Sequence, residues 1–123
     1  MPSGLKPHLH VVLNDPFGKL REVLIVPICS AHEGSYDSSC ILGVGDHKFL
    51  THKSFISYHH LSIVGAEKLE KGVKLGEFKQ FDPIDTAIFA RICYGLSKSN
   101  SVAPLHLNFY RDATAQPSLP PPP

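Results

Sequence analysis

Nine consecutive residues, Glu22–Ser30 (Glu-Val-Leu-Ile-Val-Pro-Ile-Cys-Ser), are the most hydrophobic run in the chain, and a protein of 123 residues has room for one core to build around them. The run is rich in β-branched residues and far short of the ~20 apolar residues that cross a bilayer, so it predicts a central strand. Pro27 cannot donate to a ladder, which places the strand's far half at an edge or a bulge. Residues 8–13, His-Leu-His-Val-Val-Leu, predict a strand closed by a turn over Asn14, Asp15, Pro16, Phe17, Gly18 and Lys19. A polar loop over residues 31–38 leads to a third strand at 40–44, ended by Gly43 and Gly45. Residues 54–64 are the longest strand candidate. Phe55, Ser57, His59, Leu61 and Ile63 share one face, and Ile56, Tyr58, His60, Ser62 and Val64 the other. Neither face is purely apolar, so the strand is expected to twist from core to surface.

The second half reads differently. Residues 66–71 suit one or two helical turns before Gly72, and 73–81 form a weak fifth strand. A helix follows, with Asp82 as N-cap, Pro83 at its first position and Asp85 adding negative charge at the positive end of the dipole. Ile88, Ile92 and Leu96, with Phe89 and Cys93, make an apolar stripe that would dock on the sheet, and Gly95 weakens the last turn before an end near 96–99. Residues 105–110 offer one more strand. Residues 8–111 thus read as a single domain and 112–123, with Pro117 and four closing prolines, as a disordered Pro-rich tail. The expected fold is mainly β with one C-terminal helix, an α+β arrangement. About five antiparallel strands curl into a half-open barrel, with the helix across it.

Composition excludes little. With 42% hydrophobic residues and a formal charge of +1, the chain announces no nucleic-acid partner and excludes none. Three widely spaced cysteines, Cys29, Cys40 and Cys93, lie in apolar runs and read as reduced thiols of a cytoplasmic protein rather than a disulfide framework. No signal-peptide h-region opens the sequence, so neither secretion nor membrane spanning is expected. Arginine is scarce, Arg21, Arg91 and Arg111 against nine lysines, which makes each guanidinium a candidate phosphate fork.

Chemistry concentrates between Gly45 and His60, where four of the eight histidines (His47, His52, His59, His60) sit with Asp46, Lys48, Lys53 and Tyr58. Imidazole nitrogens are costly to bury unpaired, so such a cluster is either a hydrogen-bonded corner or a working surface. No Cys-x-x-Cys or His-Glu-x-x-His spacing is present, and neighbouring histidines on a strand point to opposite faces, so hydrogen-bonded or solvent-facing histidines are expected in place of a metal centre. Asp46-His47 has two readings. The carboxylate could fix an imidazole tautomer for acid–base work, or it could accept backbone N–H groups in a turn. Ser30 and Ser54 lack a nucleophile-elbow motif, and no glycine loop followed by a helix offers a phosphate cradle. Tyr58, Lys53, Lys48 and Arg21 could combine charge with a stacking ring as an RNA-binding face.

The order of these motifs resembles the PemK/MazF-like toxins: a strand, an Asp-Pro turn with a glycine, the Val-Leu-Ile-Val-Pro-Ile-Cys-Ser run, a polar strand–turn–strand and a closing helix, over roughly residues 8–98. The resemblance implies a small SH3-like barrel that cleaves RNA without a metal and is neutralised by an antitoxin. By position, Cys29-Ser30 stands where that family has Thr-Ser lining its RNA site. Residues 54–64 match the strand that there carries an arginine and a nearby aspartate, and here carries neither. The substitutes would be His59 or His60 as acid and base, Tyr58 as phosphate donor and Arg21 as cation. Gly45-Asp46-His47 has no counterpart in the typical toxins, which marks a divergent member.

The expected function is accordingly that of a toxin-like, metal-independent endoribonuclease acting on single-stranded RNA. His59, His60, His47 and Asp46 would be catalytic, and Arg21, Ser30, Lys53, Ser54 and Tyr58 would bind substrate. No metal or cofactor is expected. RNA, an antitoxin protein and a second copy of the chain are the expected partners, and a membrane is not one. The alternative is a non-catalytic module binding protein or nucleic acid through the same corner. Both readings need the histidine-rich bend to fold against the end of the strand at Ser30.

Overall fold

The computed structural model describes residues 8–31, 36–81 and 83–115. Five antiparallel strands and three helices are present among them, an α+β fold. β1 (Leu9–Val12) pairs with β2 (Glu22–Ser30), whose bounds are those read from its hydrophobic run. β2 is the spine of the sheet. On its other side its first half pairs with β5 (Ser62–Gly65) and its last three residues with β4 (Ser54–Ile56), which in turn holds the two-residue β3 (Ile41–Leu42). The sheet runs β1-β2-β4-β3 and stays open, so no closed barrel forms among the described residues. Pro27 lies inside β2, opposite His10, and not at an edge. Its carbonyl accepts the Ser57 N–H at 3.1 Å. A strand residue's N and O face the same neighbour, so the missing donor points into the gap between β4 and β5, where no ladder partner is deprived.

That gap is where the expected single strand over 54–64 breaks. Ser57 leaves the β region (φ −90°, ψ 85°), Tyr58–His60 make one turn of 3-10 helix, and β5 resumes afterwards. Tyr58 causes the break. Its ring is fully buried, and its hydroxyl donates to the carbonyl of Ile92 at 2.6 Å. The mixed polarity of both faces of this segment reflects a chain that dips into the core and returns, rather than a twisting strand.

Helix α1 (Ala66–Lys74) passes through Gly72 and takes the first two residues of the expected strand over 73–81, whose remainder forms a turn and irregular chain instead of a strand. The residue that stops it is Gly76, at φ +77°. Gly76 N–H donates to Val73 and Glu77 N–H to Gly72, the paired bonds of a Schellman ending. A Cβ on Gly72 would come within 2.1 Å of the Phe78 ring, so glycine here lets the following segment fold back onto the helix.

Helix α2 (Thr86–Lys98) carries the expected stripe, and Ile88, Ile92 and Leu96 are buried against Val11, Leu13, Leu24, Val26, Ile28, Leu42 and Ile56 of the sheet. Each fully buried Ile or Leu contributes roughly 1.5–3 kcal/mol. The cap is Asp85, whose carboxylate accepts from the N–H groups of Ala87 and Ile88. Asp82 lies outside the described residues. Gly95 has a packing role, since a Cβ there would sit 2.2 Å from the Tyr58 hydroxyl.

Helix α3 (Pro104–Thr114) stands where a strand over 105–110 was expected. Pro104 is pre-set for a first helical position. Half-buried Leu107, Phe109 and Tyr110 pack on the core while Leu105 is 68% exposed, a helical rather than an alternating pattern. The helix runs past residue 111, and residues 116–123 of the expected tail lie outside the described residues.

Candidate functional site

The loop joining β3 to β4 carries Asp46, His47, His52 and Lys53 and is held by its own backbone chemistry. Asp46 N–H donates to the Gly43 carbonyl at 3.2 Å, and its Oδ2 accepts the Gly43 N–H at 2.8 Å. The same oxygen lies 3.8 Å from the Arg91 guanidinium of α2, which also donates to the Ile41 carbonyl. Asp46 thus does the work of a turn carboxylate tied to the helix, the second of its two readings. Buried Leu50 anchors the middle of the loop, its N–H on the His47 carbonyl. His47 Nδ1 accepts the Phe49 N–H at 3.1 Å, which puts the ring proton of the neutral form on Nε2.

At its far end the loop meets β2. Ser30 pairs with Ser54, and Ala31 N–H donates to the Lys53 carbonyl. These two serines finish the core-facing side of β2 and β4, on the face that carries Ile28 and Ile56 one step earlier. The Ser54 hydroxyl donates to the His52 carbonyl at 3.1 Å. The Ser30 hydroxyl contacts His52 Nε2, and Thr51 Oγ1 lies 3.1 Å from His52 Nδ1. A hydroxyl either donates or accepts, so the imidazole keeps both partners whichever nitrogen carries the proton. Such a ring is positioned to take up a proton at one nitrogen and remain oriented. Lys53 is exposed beside it.

The other candidates lie elsewhere. Tyr58 has no face open to a solute. Burial, with Cys40 beside it, drives its phenol far above the ordinary value. His59 and His60 are exposed on the 3-10 turn, their rings edge-to-face at 5.0 Å. His60 Nδ1 is 2.7 Å from the Ser57 hydroxyl, which also bonds the Cys29 thiol on the sheet face opposite Ser30. The turn abuts Pro27, three residues and roughly 10 Å along β2 from Ser30. Arg21 is at the opposite end of β2, roughly 30 Å from Ser30 along the strand. Its guanidinium is 3.7 Å from Glu70 on α1. The structure therefore brings Ser30, Ser54, Lys53 and His52 together, with Asp46 and His47 in the same loop, and leaves Arg21, Tyr58, His59 and His60 apart from them.

His52 is the residue that the sequence pattern left without a role. Its place beside Ser30 follows from the pairing of Ser30 with Ser54, and that pairing skips β3 in chain order. Burial pushes the thiols of Cys29, Cys40 and Cys93 up, the first partly countered by Ser57, so none is set up as a nucleophile. No group of three His, Cys, Asp or Glu side chains is placed to hold a metal ion among the described residues, and no helix among them is long and apolar enough to cross a membrane. A cavity of about 490 Å³ opens between the end of β1 and α3, lined by Val12, Asn14, Phe89 and Thr114, away from the polar corner. No family model, curated protein or solved structure matches the chain.

Proposed function

We propose that the protein is a toxin-like endoribonuclease of the PemK/MazF kind, built on an opened SH3-like barrel and acting on single-stranded RNA without a metal. The observation that carries this reading is the contact between Ser30 Oγ and His52 Nε2, a proton acceptor held between β2 and its own loop beside an exposed lysine. The Ser30 hydroxyl passes its proton to His52 Nε2 as it takes that of the 2′-hydroxyl, with Thr51 at Nδ1 fixing the ring. The 2′-oxygen then attacks the adjacent phosphorus as the bond to the 5′-oxygen breaks. Solvent water protonates the leaving 5′-oxygen, to which the Nε2–H of His47, carried by the same loop, donates a hydrogen bond, and Lys53 offsets charge on the phosphate. Asp46 shapes the loop. The products are a 2′,3′-cyclic phosphate and a 5′-hydroxyl, and the proton transfer to His52 contributes roughly 10²–10⁴-fold. An antitoxin protein and a second copy of the chain are the partners to look for, in the cytoplasm.

The test is incubation of the full chain with labelled single-stranded RNA in EDTA, beside His52→Gln and Ser30→Ala. Cleavage to cyclic-phosphate ends that survives chelation and is lost with His52 is the expected result. An inert wild type, or a His52→Gln protein as active as wild type, overturns it. The second reading, a non-catalytic binding module, is favoured by the engagement of the Asp46 carboxylate and the Tyr58 hydroxyl in the fold itself.

A further inference from the structure

Beside this loop the molecule exposes aromatic surface that the core does not use. Phe49, two residues after His47, is 40% exposed, and Phe81, at the end of the segment following α1, is 39% exposed. Their rings meet edge to face at 5.0 Å, and Lys79 Nζ stands 5.4 Å from the Phe81 ring centre. The segment that presents Phe81 is pinned at its start, where Gly72 receives the N–H groups of Glu77 and Phe78 and leaves room for the Phe78 ring. Two half-exposed rings at an angle, with a cation over one and the imidazole of His47 bonded to the backbone of the other, combine a π-face with positive charge. An RNA strand offers the complementary pair, a flat base and a phosphate. Glu77 is the acidic residue of this segment and precedes Phe78.

We propose that Phe49 and Phe81 form a stacking site for one nucleobase of a single-stranded RNA, with Lys79 on its phosphate. The proposal rests on the RNA reading of the neighbouring loop and gives that loop its substrate contact. It commits to RNA rather than to an acidic peptide or a second copy of the chain.

Phe81→Trp in the full chain supplies a lone tryptophan in a protein that has none. It is titrated with a 2′-O-methyl RNA of about eight nucleotides, which cannot be cut, and with the same oligomer lacking bases. Stacking predicts quenching by the first and not the second. Phe49→Leu and Phe81→Leu, which keep apolar volume, are expected to weaken binding about 5- to 150-fold with unchanged circular dichroism. Equal affinity of the leucine variants, equal binding of the baseless oligomer, no binding of RNA by wild type, or quenching by an acidic peptide alone each overturns the site. Stacking of the uncleavable RNA without cleavage of ordinary RNA would uphold the site and remove the endoribonuclease. Cleavage with undiminished affinity in the leucine variants would do the reverse.

Discussion

His52 and His60, eight residues apart in one histidine-rich stretch, each bond a serine hydroxyl, and the two bonds have different origins. His60 reaches Ser57, three residues back, inside the same 3-10 turn, where the His60 N–H also donates to the Ser57 carbonyl. His52 reaches Ser30, 22 residues away on another strand. The first bond closes a turn and would form wherever that turn formed. The second exists only because β4 lies against β2 in one register. The orientation of His60 is thus a local property, whereas that of His52 depends on the pairing of two strands.

The comparison breaks most easily at the residue that separates the two groups. Tyr58→Ala removes a fully buried ring, and by analogy with other buried aromatics is expected to cost about 3–5 kcal/mol in urea unfolding. Next in size is the contrast in activity. His52→Gln is expected to lower RNA cleavage by about 10²–10⁴-fold, whereas His60→Gln leaves it within a few-fold; equal losses from both would erase the distinction. Gly95→Ala drives a methyl group against the Tyr58 hydroxyl and should cost about 1–3 kcal/mol by thermal melting, with cleavage at matched folded fraction unchanged.

The serine partners sharpen the contrast at lower cost. Ser57→Ala, at a buried hydroxyl, should lose about 1 kcal/mol of stability and no activity. Ser30→Ala, at a more open position, should stay within about 0.5 kcal/mol and lose activity. The smallest effect concerns a third serine contact, made to a carboxylate. Burial raises the Asp37 carboxyl, but hydrogen bonds from Ser39 and from Ser99 at the end of α2 outweigh it and leave it below its ordinary 3.8. A depressed carboxylate adds stability above its unfolded value and loses it as pH falls through the folded one. Ser99→Ala should therefore lower the melting temperature slightly at neutral pH, with the difference from wild type shrinking as pH falls through the folded value of Asp37.

Much of the frame was legible. The bounds of β2, the position of β1 and the Ile88–Ile92–Leu96 stripe follow from period-2 and period-3.6 patterns that each segment carries by itself. The errors came where a local signal had two uses. Gly72 reads as a stop, yet the stop is Gly76, and Gly72 makes room for Phe78. Leu105, Leu107 and Phe109 alternate like a strand, but Pro104 starts a helix that leaves Leu105 in solvent. As for the site, the sequence marked Ser30, Asp46, His47, Lys53 and Ser54 but also gathered Arg21, Tyr58, His59 and His60, which the fold disperses.

What the sequence determined alone is local: which runs are apolar, at what period, and that the bend at Gly45–Asp46 is a turn stocked with imidazoles. Tertiary structure decided which imidazole meets which hydroxyl. Burying one tyrosine under α2 turned a presumed strand into two, and left Tyr58 in the core and His60 in solvent, two side chains expected to share a face. Hydrophobic burial acts on the whole chain at once, and no window of sequence contains both Tyr58 and the carbonyl of Ile92 that receives it.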